Sequence, residues 1–173
     1  MTVTVRRESP GDLEAVRAVV DAAFPWPEGA DRAAETGLVD GLRTDGDVLP
    51  DLTLVAEDDG EVVGQLLCSR AHLGSGTAVA VGPVAVRPDR QGRGIGSALV
   101  RALITAAERT DAPCLVLLGD PDLYGRFGFE PAARHGIGSP GPWPDRFFQV
   151  RTLPAWDPAL AGPFRYAVAF DRL

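Results

Sequence analysis

Residues Val84-Ala-Val-Arg-Pro-Asp-Arg-Gln-Gly-Arg-Gly-Ile-Gly-Ser-Ala-Leu-Val100 decide how the rest of this chain is read. An apolar, β-branched run ends at Arg87-Pro88. A loop then carries Gln91, Gly92, Arg93, Gly94 and Gly96, and a helical pattern begins without a gap. A strand feeding a glycine-rich turn that opens a helix aims bare backbone N–H groups at one point, with the positive end of the helix dipole behind them. The pattern predicts a receptor for phosphate.

Rival readings of the loop are weaker. A nucleotide-binding loop of the Gly-Lys-Ser or Gly-Lys-Thr type is excluded, because no such pair follows. A dinucleotide fold would need glycines spaced Gly-x-Gly-x-x-Gly at the opening of the sheet, whereas these lie at 92, 94 and 96 with three strands before them. A tight turn with no ligand explains one or two glycines, but less well three in five residues beside Arg90 and Arg93.

Downstream of the loop, Ile95, Ala98, Leu99, Ala102, Leu103 and Ala106 form one apolar helical stripe. Cys114 to Leu118 then read as a strand buried on both faces. Upstream, residues 78–86 form a strand interrupted by Gly82-Pro83, a sign of a bulge. Residues 52–57 and 62–71 form a hairpin around Asp58-Asp59-Gly60. The N-terminus predicts a strand at 2–6, a helix from Leu13 through Ala23 behind the Ser9-Pro10-Gly11-Asp12 cap, and a weaker helix over 31–42. The C-terminal part predicts a short turn or helix over 120–126, a Gly/Pro-rich loop over 135–145, and strands at 146–152 and 164–170. The resulting order, β-α-α-β-β-β-α-β-α-β-β, describes one α/β domain over 1–173 (α+β in some schemes), a mixed sheet flanked by helices.

Composition narrows the function. With 45% apolar and 24% charged residues the chain reads as a soluble globular protein. Its net charge of −7 argues against nucleic acid and against an anionic membrane surface. No secretory signal or membrane span is expected. Cys68 and Cys114 each lie in an apolar run and read as reduced core residues of a cytoplasmic protein, without the spacing of a metal site.

The six residues Gln91-Gly92-Arg93-Gly94-Ile95-Gly96 match (Gln/Arg)-x-x-Gly-x-(Gly/Ala), and in this the chain resembles the GNAT superfamily of N-acetyltransferases. The resemblance extends upstream through residues 82–86. Downstream it reaches Tyr124-Gly125-Arg126-Phe127-Gly128-Phe129, similar to that family's Tyr-x-x-x-Gly-Phe motif, and it covers about residues 52–132. The stretch Gly119-Asp-Pro-Asp-Leu-Tyr124 onward looks most like the YhbS-like branch. The resemblance implies a mostly antiparallel sheet splayed at its centre. It also implies acetyl-CoA as co-substrate without a metal, and transfer of acetyl to the primary amine of a small molecule or peptide in a ternary complex. A homodimer is compatible with it.

The same resemblance assigns roles. Backbone N–H groups of Gln91, Gly92, Arg93, Gly94, Ile95 and Gly96, with Ser97 beside them, would cradle the CoA pyrophosphate. Val84 and Val86, with Ala85 between them, would pair with the pantetheine amides like a neighbouring strand, and an N–H of residue 85 or 86 would meet the oxyanion. Tyr124 fits the general acid, with Phe127 nearby, since a phenol of pKa about 10 nearly matches an alkyl thiol. For the base, Asp120, His72 and Glu57 are the nearest candidates. Asp120 reads equally as a helix cap, and His72 more readily as a strand-end surface residue. Phe24, Trp26, Trp143, Trp156, Glu28 and Glu35 are available to an acceptor pocket, although Trp26 between two prolines reads first as a loop anchor. Two alternatives stay open: a CoA-binding sensor without turnover, and an enzyme using another acyl-CoA.

Overall fold

The computed structural model describes residues 2–173. In chain order the elements are β1 (Val3–Arg7), α1 (Leu13–Ala23), α2 (Ala34–Thr44), β2 (Leu54–Asp58), β3 (Glu61–Leu73) and β4 (Gly76–Val86). There follow α3 (Ile95–Ala107), β5 (Cys114–Leu118), α4 (Pro121–Tyr124), β6 (Glu130–Pro131), β7 (Phe148–Thr152) and β8 (Phe164–Arg165). The sheet runs β1-β2-β3-β4-β5-β7-β6, and β8 joins it on β3. Every pairing is antiparallel except β4 with β5.

The long hairpin β3–β4 is the backbone of this sheet, and its irregularities are encoded locally. Asp59 and Gly60 both take positive φ (52° and 80°), the geometry of a two-residue turn that matches strand twist. Farther along, Leu66 pairs Val84 and Cys68 pairs Val81, so Leu67 lies opposite both Gly82 and Pro83. The extra residue is the bulge that Gly82-Pro83 signals in the sequence. A buried side chain braces it: Gln65, 1% exposed, donates from Nε2 to the Pro83 carbonyl at 2.9 Å.

Beyond the bulge the sheet opens. β4 and β5 pair only at Val79↔Leu115 and Ala80↔Val116, so residues 81–86 of β4 keep a partner on the β3 side alone. Apolar alternation fills both faces of the sheet. On one, Ile95, Leu99 and Leu103 of α3 pack over Leu66, Val79 and Leu115; on the other, Val16, Val20, Leu38 and Leu42 pack over Leu67 and Ala85. Gly64 lets α3 approach, because a Cβ there would sit 3.1 Å from Ile95 and 3.3 Å from Leu99. The buried stripe of α3 is Ile95, Leu99, Val100, Leu103 and Ala107, while Ala98, Ala102 and Ala106 lie at its half-exposed border.

The C-terminal reading needs one correction. The strand expected over 164–170 shrinks to Phe164–Arg165, which pairs with Leu73 and His72. The edge of β3 has room for no more, since the neighbouring stretch is already bonded: the Leu49 N–H donates to Cys68 O and the Arg70 N–H to Asp47 O. Residues Val168–Arg172 instead form a 3-10 turn, and Ala169 and Phe170 join the α1–α2 core. The two-residue strand β6 had no signal of its own.

Replacing Gln65 by leucine preserves volume but leaves the Pro83 carbonyl unpaired in a buried setting. A loss of about 1–3 kcal/mol in unfolding free energy is expected by chemical denaturation, whereas a substitution that merely repacks the site would cost little.

Candidate active site

Each β4 residue beyond the bulge turns its backbone to one side or the other. The Arg87 N–H donates to Val63 O at 2.8 Å. By the alternation of an antiparallel strand, Ala85 then faces β3, and Val84 and Val86 turn their N–H and C=O groups to the unpaired edge. Ala85 is thus committed twice, its backbone to β3 and its buried methyl to the α1–α2 core. Of the three residues, Val84 and Val86 alone present an open ladder. The Val86 carbonyl already accepts from the Gln91 side chain, Nε2 to O at 3.0 Å, which ties the loop to the strand end.

The loop turns on two left-handed glycines, Gly92 (φ 75°) and Gly94 (φ 80°), and Gly94 is the N-cap of α3. A side chain at either position would be strained by its φ rather than by collision, for a Cβ there meets nothing within 4 Å. No side chain caps α3, so the first amides of the helix keep the open donors of any uncapped N-terminus. Gly96 has only Val86 Cγ2, at 3.9 Å, near its missing Cβ. Arg90 pairs with Asp58 and Asp89, and Arg93 is an exposed residue of the loop beside Gln91, Gly92 and Gly94. Ser97 is half-buried in the first turn of α3.

Where β4 and β5 part, a cleft of about 1030 Å³ opens between the two halves of the sheet. Val81, Gly82, Pro83 and Val84 line it on one side, and Leu117, Leu118, Gly119, Asp120, Leu123 and Tyr124 on the other. Tyr124 ends α4, its ring edge-on to Phe129 at 5.8 Å between centroids. Gly119 makes room for that ring: a Cβ at 119 would lie 2.6 Å from Tyr124 Cε2. Burial, and secondarily the charge of Asp120, raise the Tyr124 phenol above its ordinary value, so the group stays protonated and able to donate. Asp120 itself caps α4, accepting from the Asp122 N–H at 2.9 Å, and it lines the cleft as well. The cap reading of Asp120 is thus seen in the structure, in a residue that also belongs to the cleft wall.

The remaining candidates divide cleanly. His72, Phe24, Glu35 and Trp143 line the same cleft as Tyr124. Glu57 does not; it accepts from Arg6, which also holds Asp12, and is spent as an ion-pair partner on β2. Trp26 is 51% exposed and anchors its loop by donating to Asp21 O. Trp156 packs against His135, and Glu28 is exposed away from the cleft. Phe127 lies under Arg101 and Arg126. Cys68 and Cys114 are buried and reduced, burial pushing both thiols up, that of Cys114 to about 12; neither is an available nucleophile. Arg70 and Arg165, which also line the cleft, were missed in the sequence. Arg70 could have been found from alternation, which places it on the same side of β3 as His72.

Comparison with known proteins agrees with this geometry. The model of the acetyltransferase (GNAT) domain matches residues 50–131. The chain is 35% identical over 161 residues to the uncharacterized N-acetyltransferase YhbS of Escherichia coli K12, an alignment covering 91% of this chain and 90% of that protein. It is 32% identical to the uncharacterized N-acetyltransferase YjhQ of the same organism, over 90% of this chain and 87% of that one. Among solved structures, the crystal structure of Escherichia coli YhbS in complex with CoA superposes with a TM-score of 0.87 at 32% identity, covering 99% of this chain and 93% of that chain. A GNAT family acetyltransferase from Brucella melitensis in complex with acetyl-CoA superposes at 0.73, also at 32% identity, over 98% and 99%.

Alkaline titration followed by ultraviolet absorption should show both tyrosines ionising above pH 10, since burial raises Tyr166 to about 12 and Tyr124 also lies above its ordinary value. Asp120→Asn keeps a capping side chain but removes the charge, so it should lower the Tyr124 transition alone. An unmoved transition would remove Asp120 from the electrostatics of that phenol.

Proposed function

This chain belongs to the GNAT family of acetyl-CoA-dependent N-acetyltransferases, and we propose how its own residues carry out the transfer of acetyl from acetyl-CoA to a primary amine. The observation that carries the reading is the open edge of β4, which ends on the left-handed glycines of the loop and faces Tyr124 across the cleft. Val84 and Val86 bind the pantetheine arm through backbone N–H and C=O groups. The amides from Gly92 to Gly96 hold the pyrophosphate, with the exposed Arg93 and the Ser97 hydroxyl beside it, and Phe127 closes the site near the nucleotide arm. The glycines fit this role because their φ aims successive amides at one point.

The amine nitrogen attacks the thioester carbonyl directly. A C–N bond forms, and the carbonyl oxygen takes up negative charge against the Val86 N–H. When the C–S bond breaks, the electron pair leaves with sulfur and the Tyr124 hydroxyl supplies the proton. Tyr124 is suited to this because no described residue accepts from its hydroxyl and its raised pKa keeps the proton in place. The proton released by nitrogen passes to a carboxylate or imidazole of the cleft. Glu35 is the best placed, since its Oε2 is buried without a hydrogen-bond partner; Asp120 and His72 line the same space. Direct attack follows from the two cysteines being unreactive core residues. Their buried, reduced state also supports a cytoplasmic setting, and no helix among the described residues is long and apolar enough to cross a membrane.

Two variants separate binding from chemistry. Gly94→Glu forces a side chain and a negative charge into the loop, and it should abolish the stabilisation that CoA confers, which for ligand at a hundred times Kd is about 2.7 kcal/mol. A retained thermal shift would overturn the pyrophosphate assignment. Tyr124→Phe should keep that shift yet lower kcat by a factor of about 10² or more, measured as acetyl-CoA-dependent thiol release with an amine panel. A rate unchanged across pH would remove Tyr124 from the mechanism.

A further inference from the structure

The cleft wall opposite the loop carries a feature that acetyl transfer alone does not use. Arg70 and His72 alternate on β3, and Arg165 of β8 pairs directly across from His72, so all three side chains lie on one side of the sheet edge, Arg165 about 5 Å from His72 and roughly 7–8 Å diagonally from Arg70 by strand geometry. All three line the cleft.

In a chain of net charge −7 most arginines find carboxylates, as Arg6, Arg17, Arg43, Arg87 and Arg90 do. Neither the Arg70 nor the Arg165 guanidinium has an ion-pair or hydrogen-bond partner among the described residues. Asp47 lines the same cleft, and the Arg70 backbone N–H bonds to its carbonyl, but its carboxylate pairs with neither arginine. Both side chains are exposed at the cleft, and neighbouring guanidinium groups without a protein partner have donors to offer an anion that comes from outside. Negative charge is supplied elsewhere in the cleft by Asp47, Asp120, Asp171 and Glu35, and of these Glu35 has an Oε2 that is buried and unpartnered.

We propose that the acceptor is an amine that also carries an anionic group, the anion bound by Arg70 and Arg165 and the amine received at Glu35. This rests on the acetyl-transfer reading above and narrows its substrate class. The shared chemistry admits a carboxylate or a phosphate; a guanidinium pair takes either in bidentate fashion.

The test uses matched amines with acetyl-CoA: 6-aminohexanoate, phenylalanine and O-phosphoethanolamine against pentylamine, phenethylamine and ethanolamine. At least one anionic member should turn over with the higher kcat/KM. In Arg70→Gln/Arg165→Gln its KM should rise about tenfold or more with kcat little changed, while the neutral amines are unaffected; Arg70→Lys/Arg165→Lys, which keeps the charge, should retain part of the preference. Which anionic member responds separates carboxylate from phosphate. Equal use of both members, or a preference that survives in the glutamine double variant, overturns the proposal. A second readout needs no turnover: the anionic compounds should stabilise the CoA-loaded wild-type protein and not the double variant. That shift with no thiol release from any amine would support the subsite while overturning the transfer reading. No shift and no preference overturns the subsite while leaving the Tyr124 and Gly94 results to stand on their own.

Discussion

Two parallel strands held together over only two residue pairs leave the remainder of each backbone without a neighbour. In this protein β4 and β5 separate after Ala80 and Val116, and the bulge at Gly82-Pro83 bends β4 away on its far side. Unpaired backbone donors and acceptors in a sheet interior are costly unless something bonds to them. The opening therefore leaves backbone groups of β4 able to bond an extended, amide-bearing ligand. The elements around it frame it: the Gln65 amide holds the Pro83 carbonyl, the glycine loop follows at the end of β4, and Tyr124 stands across the cleft.

How much of this could be read in advance depended on whether the cause was local. The glycine loop, the hairpin turn at Asp59-Gly60, the bulge and the buried strand β5 all follow from residues a few positions apart, through φ preference or an unbroken apolar run, and each appears where the sequence placed it. The C-terminal region failed for the opposite reason. Residues 164–170 have the alternation of a strand, but whether they pair depends on how much of the β3 edge residues 47–49 have already taken. No reading of the segment alone contains that fact. The cleft walls are non-local in the same sense. Tyr124 was legible as part of a motif and Glu35 as one of several residues available to a pocket, whereas Arg70 and Arg165 come from β3 and β8 and join them only in the fold.

Charge follows the same division. The acidic total says nothing of how charge is arranged within the cleft, where Arg70 and Arg165 share the lining with Glu35, Asp47, Asp120 and Asp171. Glu57 shows the converse. An acid close in sequence to the site turned out to be occupied by Arg6 as part of the link between β1, β2 and the first helix. Proximity along the chain did not show that this acid was already paired.

Gly119 illustrates what such a site asks of its surroundings. It contributes no reactive atom, yet the Tyr124 ring occupies the volume that any side chain at 119 would fill. The position of the phenol is thus partly written as a hydrogen atom on a neighbouring residue. As related sequences diverge, this one methyl group's worth of space is a route by which a lineage could lose its chemistry while keeping every polar group of the motif, and a survey that reads only reactive side chains would count the descendant as an enzyme.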